Sequence, residues 1–253
     1  MRTLIALSLL VLGLGTANAE VRVHHIFDNN IVLQRGKPLK VWGWADKGEV
    51  VSVEFHDQKV QTEADDQGTW AVELRPPEAS AEGRRLIVRG TANTVEYENV
   101  VVGDVWLCGG QSNMEDVLED IYHGDVEVAS AHHPLIRLMT IPVKATPDRQ
   151  DDFERIDEFN SWTGRHEKKG SWFVCSPDTV NRFSAIGYIL GRRIHLVSRV
   201  PCRATTTFPV PVASQRNVTI NMEWGIAARG TLPRSRADAE ANPHVEARET
   251  YPS

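Results

Sequence analysis

The chain is short of cysteine, of long apolar runs and of surplus positive charge, and each shortage excludes something. Cys108, Cys175 and Cys202 are its only cysteines, too few for a disulfide scaffold, although one bridge is possible. After the first residues no apolar stretch approaches the roughly 20 residues that a spanning helix needs. The formal charge of −6 leaves no basic face for nucleic acid or for an anionic membrane. Zinc-type Cys/His spacings are also missing. His24-His25 and His132-His133 are adjacent pairs, which seldom let both rings meet one ion. Both pairs read as surface histidines.

What the chain does have starts at its first residues. MRTLIALSLLVLGLGTANA offers a basic Arg2, an apolar run from Leu4 to Leu14 and small residues at Ala17-Asn18-Ala19. Together these describe a secretory signal peptide over residues 1–19. The mature chain is expected to begin at Glu20 and to be exported, periplasmic or extracellular, with no membrane attachment after cleavage. Hydrophobic content of 41% with 25% charged residues is ordinary for a folded globular chain, long enough for one large or two smaller domains.

Three regions follow. From residue 20 to 102 the signal is β. Val51, Val53 and Phe55 alternate with Ser52 and Glu54 on a strand. Asp65-Asp66-Gln67-Gly68 marks a turn before the strand Trp70–Leu74. Pro76-Pro77 breaks the chain, Leu86–Val88 resumes it, and Thr94–Val102 supplies a last strand. Turns at such close intervals predict an antiparallel β-sandwich module. From 103 to 200 strands and helices alternate, which predicts an α/β domain. Val105–Cys108 reads as a buried strand ending in Gly109-Gly110, Ser112 as the start of a helix, and Ile136–Met139 as a second strand. Residues 144–169 are polar and read as a surface loop. Ser176-Pro177 opens a helix whose apolar face runs Phe183, Ile186, Leu190, Ile194 and Val197, with Gly187 and Gly191 on a stripe suited to close packing. From 201 to 253 neither period persists, and the segment is expected to be a disordered tail.

Chemistry concentrates at VVGDVWLCGGQSNMEDV, residues 101–117. A strand that ends in glycines and delivers Ser112 to a helix start would present its hydroxyl at the sheet's carboxyl edge. Free N–H groups of the helix would face an oxyanion there. Ser112-Asn113-Met114-Glu115 also reads as a capping box, in which Ser and Glu only satisfy backbone donors. The residues alone leave both readings open.

DVWLCGGQSNME resembles the nucleophile block of the sialate O-acetylesterase family, within the SGNH-hydrolase superfamily. The likeness extends to FDNNIVLQRGKPLKVWGWADKGEVVSVEF, IRLMTIPVKA and CSPDTVNRFSAIGYILGRRIH, in the family's order, and so covers residues 22 to about 200. The resemblance implies two domains, a β-sandwich module followed by an SGNH or flavodoxin-like α/β hydrolase domain. It implies a serine esterase without metal or cofactor. Ser112 would attack the acetyl carbonyl of an O-acetylated sugar or sialic acid, a His oriented by an Asp would be the base, and acetate would leave. The Ser112 N–H, a Gly N–H and an Asn would hold the oxyanion. Gln111 and Asn113 match the motif and would shape the substrate pocket.

The chain also departs from the pattern. Gly109 stands where the family commonly has Ser. After Val200 the family continues into a strand, a Ser-x-Trp-Gly-Gly block, an Asn block and an Asp-x-x-His block, and none of these is recognisable. His195 lies on the polar side of a helix and is a poor candidate base, and His244 has no Asp three residues before it. Asn217-Val218-Thr219 matches the glycosylation pattern and is read as coincidence. The break at Pro201 is the mark of a shifted frame or truncation, which would leave the hydrolase domain incomplete and the esterase impaired. Two other readings stand beside it. One is a non-catalytic carbohydrate-binding protein, with Trp42, Trp44 and Trp70 as stacking faces or as core. The other is a fragment without function.

Overall fold

A computed structural model describes residues 20–110, 112–142, 150–161 and 164–207. The expected signal peptide, Gln111, the Asn217 sequon, His244 and the expected tail beyond 207 lie outside the described residues. The element order is β1 (Arg22–Val23), β2 (Val32–Gln34), β3 (Leu39–Trp44), β4 (Val50–Phe55), β5 (Gln58–Glu63), β6 (Thr69–Leu74), β7 (Ser80–Arg89) and β8 (Thr94–Gly109). Then come α1 (Ser112–Glu115), a 3-10 turn at Leu118–Asp120, α2 (Gly124–Ala129), β9 (His133–Thr140), β10 (Ile156–Asn160) and β11 (Arg165–Lys169). The order closes with β12 (Phe173–Cys175), α3 (Pro177–Val180), α4 (Ala185–Ser198) and β13 (Cys202–Thr207). The described chain is rich in sheet and has few helices.

One small sheet pairs β1-β3-β6, and β10-β11 forms a hairpin. The main sheet runs β12-β9-β13-β8-β7-β4-β5, with β2 added against β8. In the amino-terminal part, alternation decides burial. Leu39 and Val41 of β3 face Val72 and Leu74 of β6, all buried, while the residues between them face outward. The turn before β6 forms as its residues require. Asp65 Oδ1 accepts from the N–H groups of Gln67 and Thr69, and Gly68 takes a positive φ of 73°.

β8 is the spine of the molecule. Its first half pairs antiparallel with β7 and its second half pairs parallel with β13, so one strand crosses the expected boundary at 102/103 without a break. At the crossover a Cβ on Gly103 would stand 1.9 Å from the Pro201 carbonyl oxygen, and the Asp104 N–H donates to that same oxygen at 2.9 Å. Glycine allows the two backbones to approach this closely.

Several expectations are corrected. Residues 202–207 are not part of an unpatterned tail. β13 lies between β8 and β9, parallel to both, and Cys202, Arg203, Ala204, Thr205 and Thr206 are buried. Its polar composition hid a strand buried on both faces, which normally reads as a continuous apolar run. The loop expected over 144–169 contains the β10-β11 hairpin. The helix expected from Ser176 is two helices. Ser176 and Thr179 form the capping box of α3, and Ser184 starts α4 by accepting from the Gly187 N–H.

α4 also turns a different face inward. Ala185, Gly187, Tyr188 and Gly191 are buried, while Ile186, Leu190 and Val197 are exposed. Gly187 and Gly191 sit so close to β13 that a Cβ would meet Thr206 Cγ2 at 2.8 Å and Ala204 Cβ at 3.3 Å. The glycine stripe, not the aliphatic one, therefore lies on the sheet. Beneath it Leu118, Ile136, Leu138, Val180, Phe183, Tyr188 and Ala204 form one core. Each fully buried large side chain there contributes about 1.5–3 kcal/mol.

Two expectations about burial are also corrected. In the strand over Val105–Cys108, expected to be buried, Trp106 and Leu107 are 43% and 47% exposed because β8 has a described neighbour on one side only there. The second is His24. It is buried, only 6% exposed, among Trp42, Trp44 and Phe153. Its Nδ1 accepts from the Ile26 N–H at 3.0 Å, and Nε2 lies 3.4 Å from Asp152. Burial holds its pKa below the usual histidine value, and Asp152 offsets part of that shift.

Candidate active site

β8, β13 and β9 run parallel and end together at Gly109, Thr207 and Thr140. The carboxyl edge of such strands is where α/β folds gather their chemistry. Thr140 Oγ1 and Thr206 Oγ1 stand 3.2 Å apart there. The Ile141 N–H donates to Thr206 O and the Gly170 N–H to Thr140 O, so the edge is closed by backbone bonds.

Ser112 is the first residue of α1, one turn beyond this edge. Its side chain, like Gln111, lies outside the described residues, and Asn113 is exposed. α1 has only four residues, too short to build a substantial macrodipole. The first N–H groups of such a turn have no partner within the helix.

The segment after Ser112 is clamped to the start of α4. The Ser184 hydroxyl donates to Met114 Sδ at 3.1 Å, and Val117 and Ser184 form an antiparallel bridge. The Leu118 N–H donates to Phe183 O and the Ala185 N–H to Asp116 O. Arg182 pairs with Glu119 further along. Sequence reasoning missed this clamp. The available signal was Ser184 itself, a good N-cap directly before Ala185-Ile186-Gly187.

The described histidines are engaged away from the β8–α1 turn. His133 begins β9 and His195 ends α4, their rings 6.4 Å apart at the amino-terminal edge of the parallel strands. His195 Nδ1 donates to Val200 O at 2.8 Å. Burial, then His195, lowers the pKa of His133. His24 and His25 both face Asp152, although the 2.9 Å approach of His25 Nδ1 lacks hydrogen-bond alignment. His56 lies against Asp57 and His166 against Phe159. His123 abuts Tyr122, and His132 is exposed.

The cysteines do not form a bridge. All three are free and buried, and burial raises the Cys108 pKa and pushes Cys175 and Cys202 up to about 12. None is a thiolate nucleophile near neutral pH. Trp70 is core. Trp42 packs against Phe27 and His24, and Arg22 covers Trp44 at 5.2 Å, which leaves little of the proposed sugar-stacking surface. Among the described residues no cluster of His, Cys, Asp and Glu could hold a metal ion, and no helix is long and apolar enough to cross a membrane.

No protein-family profile matches the chain. Mouse sialate O-acetylesterase is 29% identical over 153 residues, which is 56% of this chain and 28% of the mouse protein. The human sialate O-acetylesterase is 25% identical over 232 residues, 86% of this chain and 43% of its own length. The crystal structure of a carbohydrate acetylesterase from Xanthomonas citri superposes with a TM-score of 0.66 at 27% identity, covering 74% of this chain and 40% of that one. The chain is thus similar to sialate O-acetylesterases and to a carbohydrate acetylesterase. The chain spans 28%, 43% and 40% of the lengths of these three proteins, and in its acetylesterase-like fold Ser112 opens α1 beyond the carboxyl edge of the parallel strands.

Proposed function

We propose that the chain carries the nucleophile segment of a serine esterase that releases acetate from O-acetylated sugars, sialic acids among them. One observation carries this reading: Ser112 opens a helix directly beyond the carboxyl end of a parallel strand, in a chain whose relatives are named as sialate and carbohydrate acetylesterases. Ser112 Oγ gives its proton to solvent water and attacks the acetyl carbonyl, the α1 N–H groups receive the negative charge, the adduct expels the sugar oxygen, which is protonated to a free hydroxyl, and water then hydrolyses acetyl-Ser112 to acetate and the free serine. Gln111 and Asn113 match the motif and shape the substrate pocket. The β layers of residues 20–102 act as a support module for the α/β part, and the protein works after export and loss of residues 1–19.

The described residues bring no histidine to Ser112, so turnover is expected to be weak. The test is acetate release from an aryl acetate and from an O-acetylated sialic acid, together with mass spectrometry for acetyl-Ser112. Slow release that vanishes in Ser112→Ala supports the reading. An unchanged rate in Ser112→Ala removes Ser112 from the mechanism.

A further inference from the structure

Ser112 stands in a turn too short to hold its own shape. α1 has four residues, and a helix of that length does not sustain itself, because nucleation costs more than a single turn returns. What packs against the turn therefore sets its place. Met114, the third residue of α1, makes that contact on two sides. A Cβ on Gly110 would stand 3.1 Å from Met114 Cβ and 3.5 Å from its Cε, so the Met114 side chain lies on the backbone that leaves β8. On the other side Met114 Sδ accepts from the Ser184 hydroxyl at 3.1 Å.

Ser184 is fitted for that bond. It is 2% exposed, and as the N-cap of α4 its Oγ accepts from the Gly187 N–H at 3.3 Å. A hydroxyl has one proton to donate beside the lone pairs that accept, so the same group caps α4 and bonds the sulfur. The backbone continues the join. The Ala185 N–H donates to Asp116 O at 2.8 Å, the Leu118 N–H to Phe183 O at 3.0 Å and the Glu119 N–H to Asn181 O at 3.1 Å. α4 is itself seated on β13 through Gly187 and Gly191. Met114 is thus held between the end of β8 and the start of a helix fixed to the same sheet.

We propose that Ser184 and Met114 are positioning residues for Ser112, the Ser184 hydroxyl acting through the Met114 sulfur to fix the turn that carries the nucleophile. The proposal rests on the esterase reading of Ser112. Reacting atoms must meet at about 3–3.5 Å in aligned geometry, and a misplacement of about 1 Å costs about a hundredfold in rate. In this role neither residue touches substrate. Each acts only through the place it gives Ser112, so its loss lowers kcat and leaves KM as it was. The pair also accounts for a methionine at 114. Its unbranched thioether reaches both Gly110 and Ser184, and its sulfur accepts the proton that the capping bond leaves over.

Steady-state kinetics of the whole chain with an aryl acetate test this. Ser184→Ala should lower kcat about tenfold or more and leave KM within about twofold. Met114→Leu, which keeps the volume and removes the sulfur, should lower kcat in the same way but less. The double variant should fall no further than Ser184→Ala alone, because the serine acts through the sulfur. Gly36→Ala, a destabilising change in the amino-terminal β layers, should keep the parental kcat. A second readout needs no turnover. Amide exchange at Leu118 and Ala185, both bonded across the join, should run about fivefold faster or more in Ser184→Ala. Parental kcat in Ser184→Ala, losses that add in the double variant, or unchanged exchange would each overturn the positioning role while turnover still depends on Ser112. No turnover in the parent, or a rate unchanged in Ser112→Ala, instead removes the esterase reading and the proposal with it.

Discussion

Thr205 is the residue at which the central position of β13 can be tested most directly. It pairs with Leu107 on one side and Met139 on the other and is 1% exposed. Its Oγ1 accepts from Arg203 Nε at 3.0 Å. The Arg203 guanidinium lies 4.5 Å over Trp172, and complete burial holds its pKa down at about 9. Thr205→Val keeps the shape and removes only the acceptor of a buried cation, a loss of about 1–3 kcal/mol. Thr205→Pro loses that acceptor and a ladder donor as well, and its ring clashes with the neighbouring strand, adding about 3 kcal/mol or more. A domain of this size shifts its melting point by roughly 2–4 °C per kcal/mol. The valine variant should therefore melt about 2–12 °C lower, and the proline variant at least about 8 °C lower or fail to fold. Thermal unfolding followed by circular dichroism reads both. A Thr205→Pro protein melting within about 2 °C of the parent would refute the placement of residues 202–207 in the sheet.

Two further perturbations probe packing and charge. Gly103→Ala puts a methyl against the Pro201 carbonyl and should cost about 1–3 kcal/mol in denaturant titration; the open position Gly36, where only the positive φ opposes a side chain, should lose about 1–2 kcal/mol as Ala. His24 has a folded pKa below its ordinary value of 6.5, so the unfolded chain takes up protons first as pH falls. Stability is then full above about pH 6.5 and declines below it until the folded-state pKa is reached. His24→Gln should flatten that acid limb of a melting-point profile measured from pH 7.5 to 5; an unaltered slope would remove His24 as its source.

The sequence was informative wherever local pattern and burial agree. The strands β4 and β6, the Asp65–Gly68 turn between them, strand β9 and the helix start at Ser112 follow from alternation and turn chemistry, which are set by near neighbours. It was least informative in two places. Cys202–Thr207 carries an arginine and three threonines and shows no apolar run, yet β8 and β9 together satisfy its backbone on both sides. In α4 the longest aliphatic stripe suggested the buried face, yet contact with β13 requires small residues, so Gly187 and Gly191 lie inward.

By itself the sequence determined the family blocks, the nucleophile candidate and the alternating strands, because these depend on residues close together in the chain. Only the tertiary structure decided that β8 runs unbroken through the expected boundary, that β13 lies in the sheet beside it, and that Ser184 clamps the segment after Ser112. The burial of His24 against Asp152 was settled there too. Each of these rests on a contact between segments distant in sequence, for which backbone hydrogen bonding and steric fit between whole elements outweigh the preferences of any one segment.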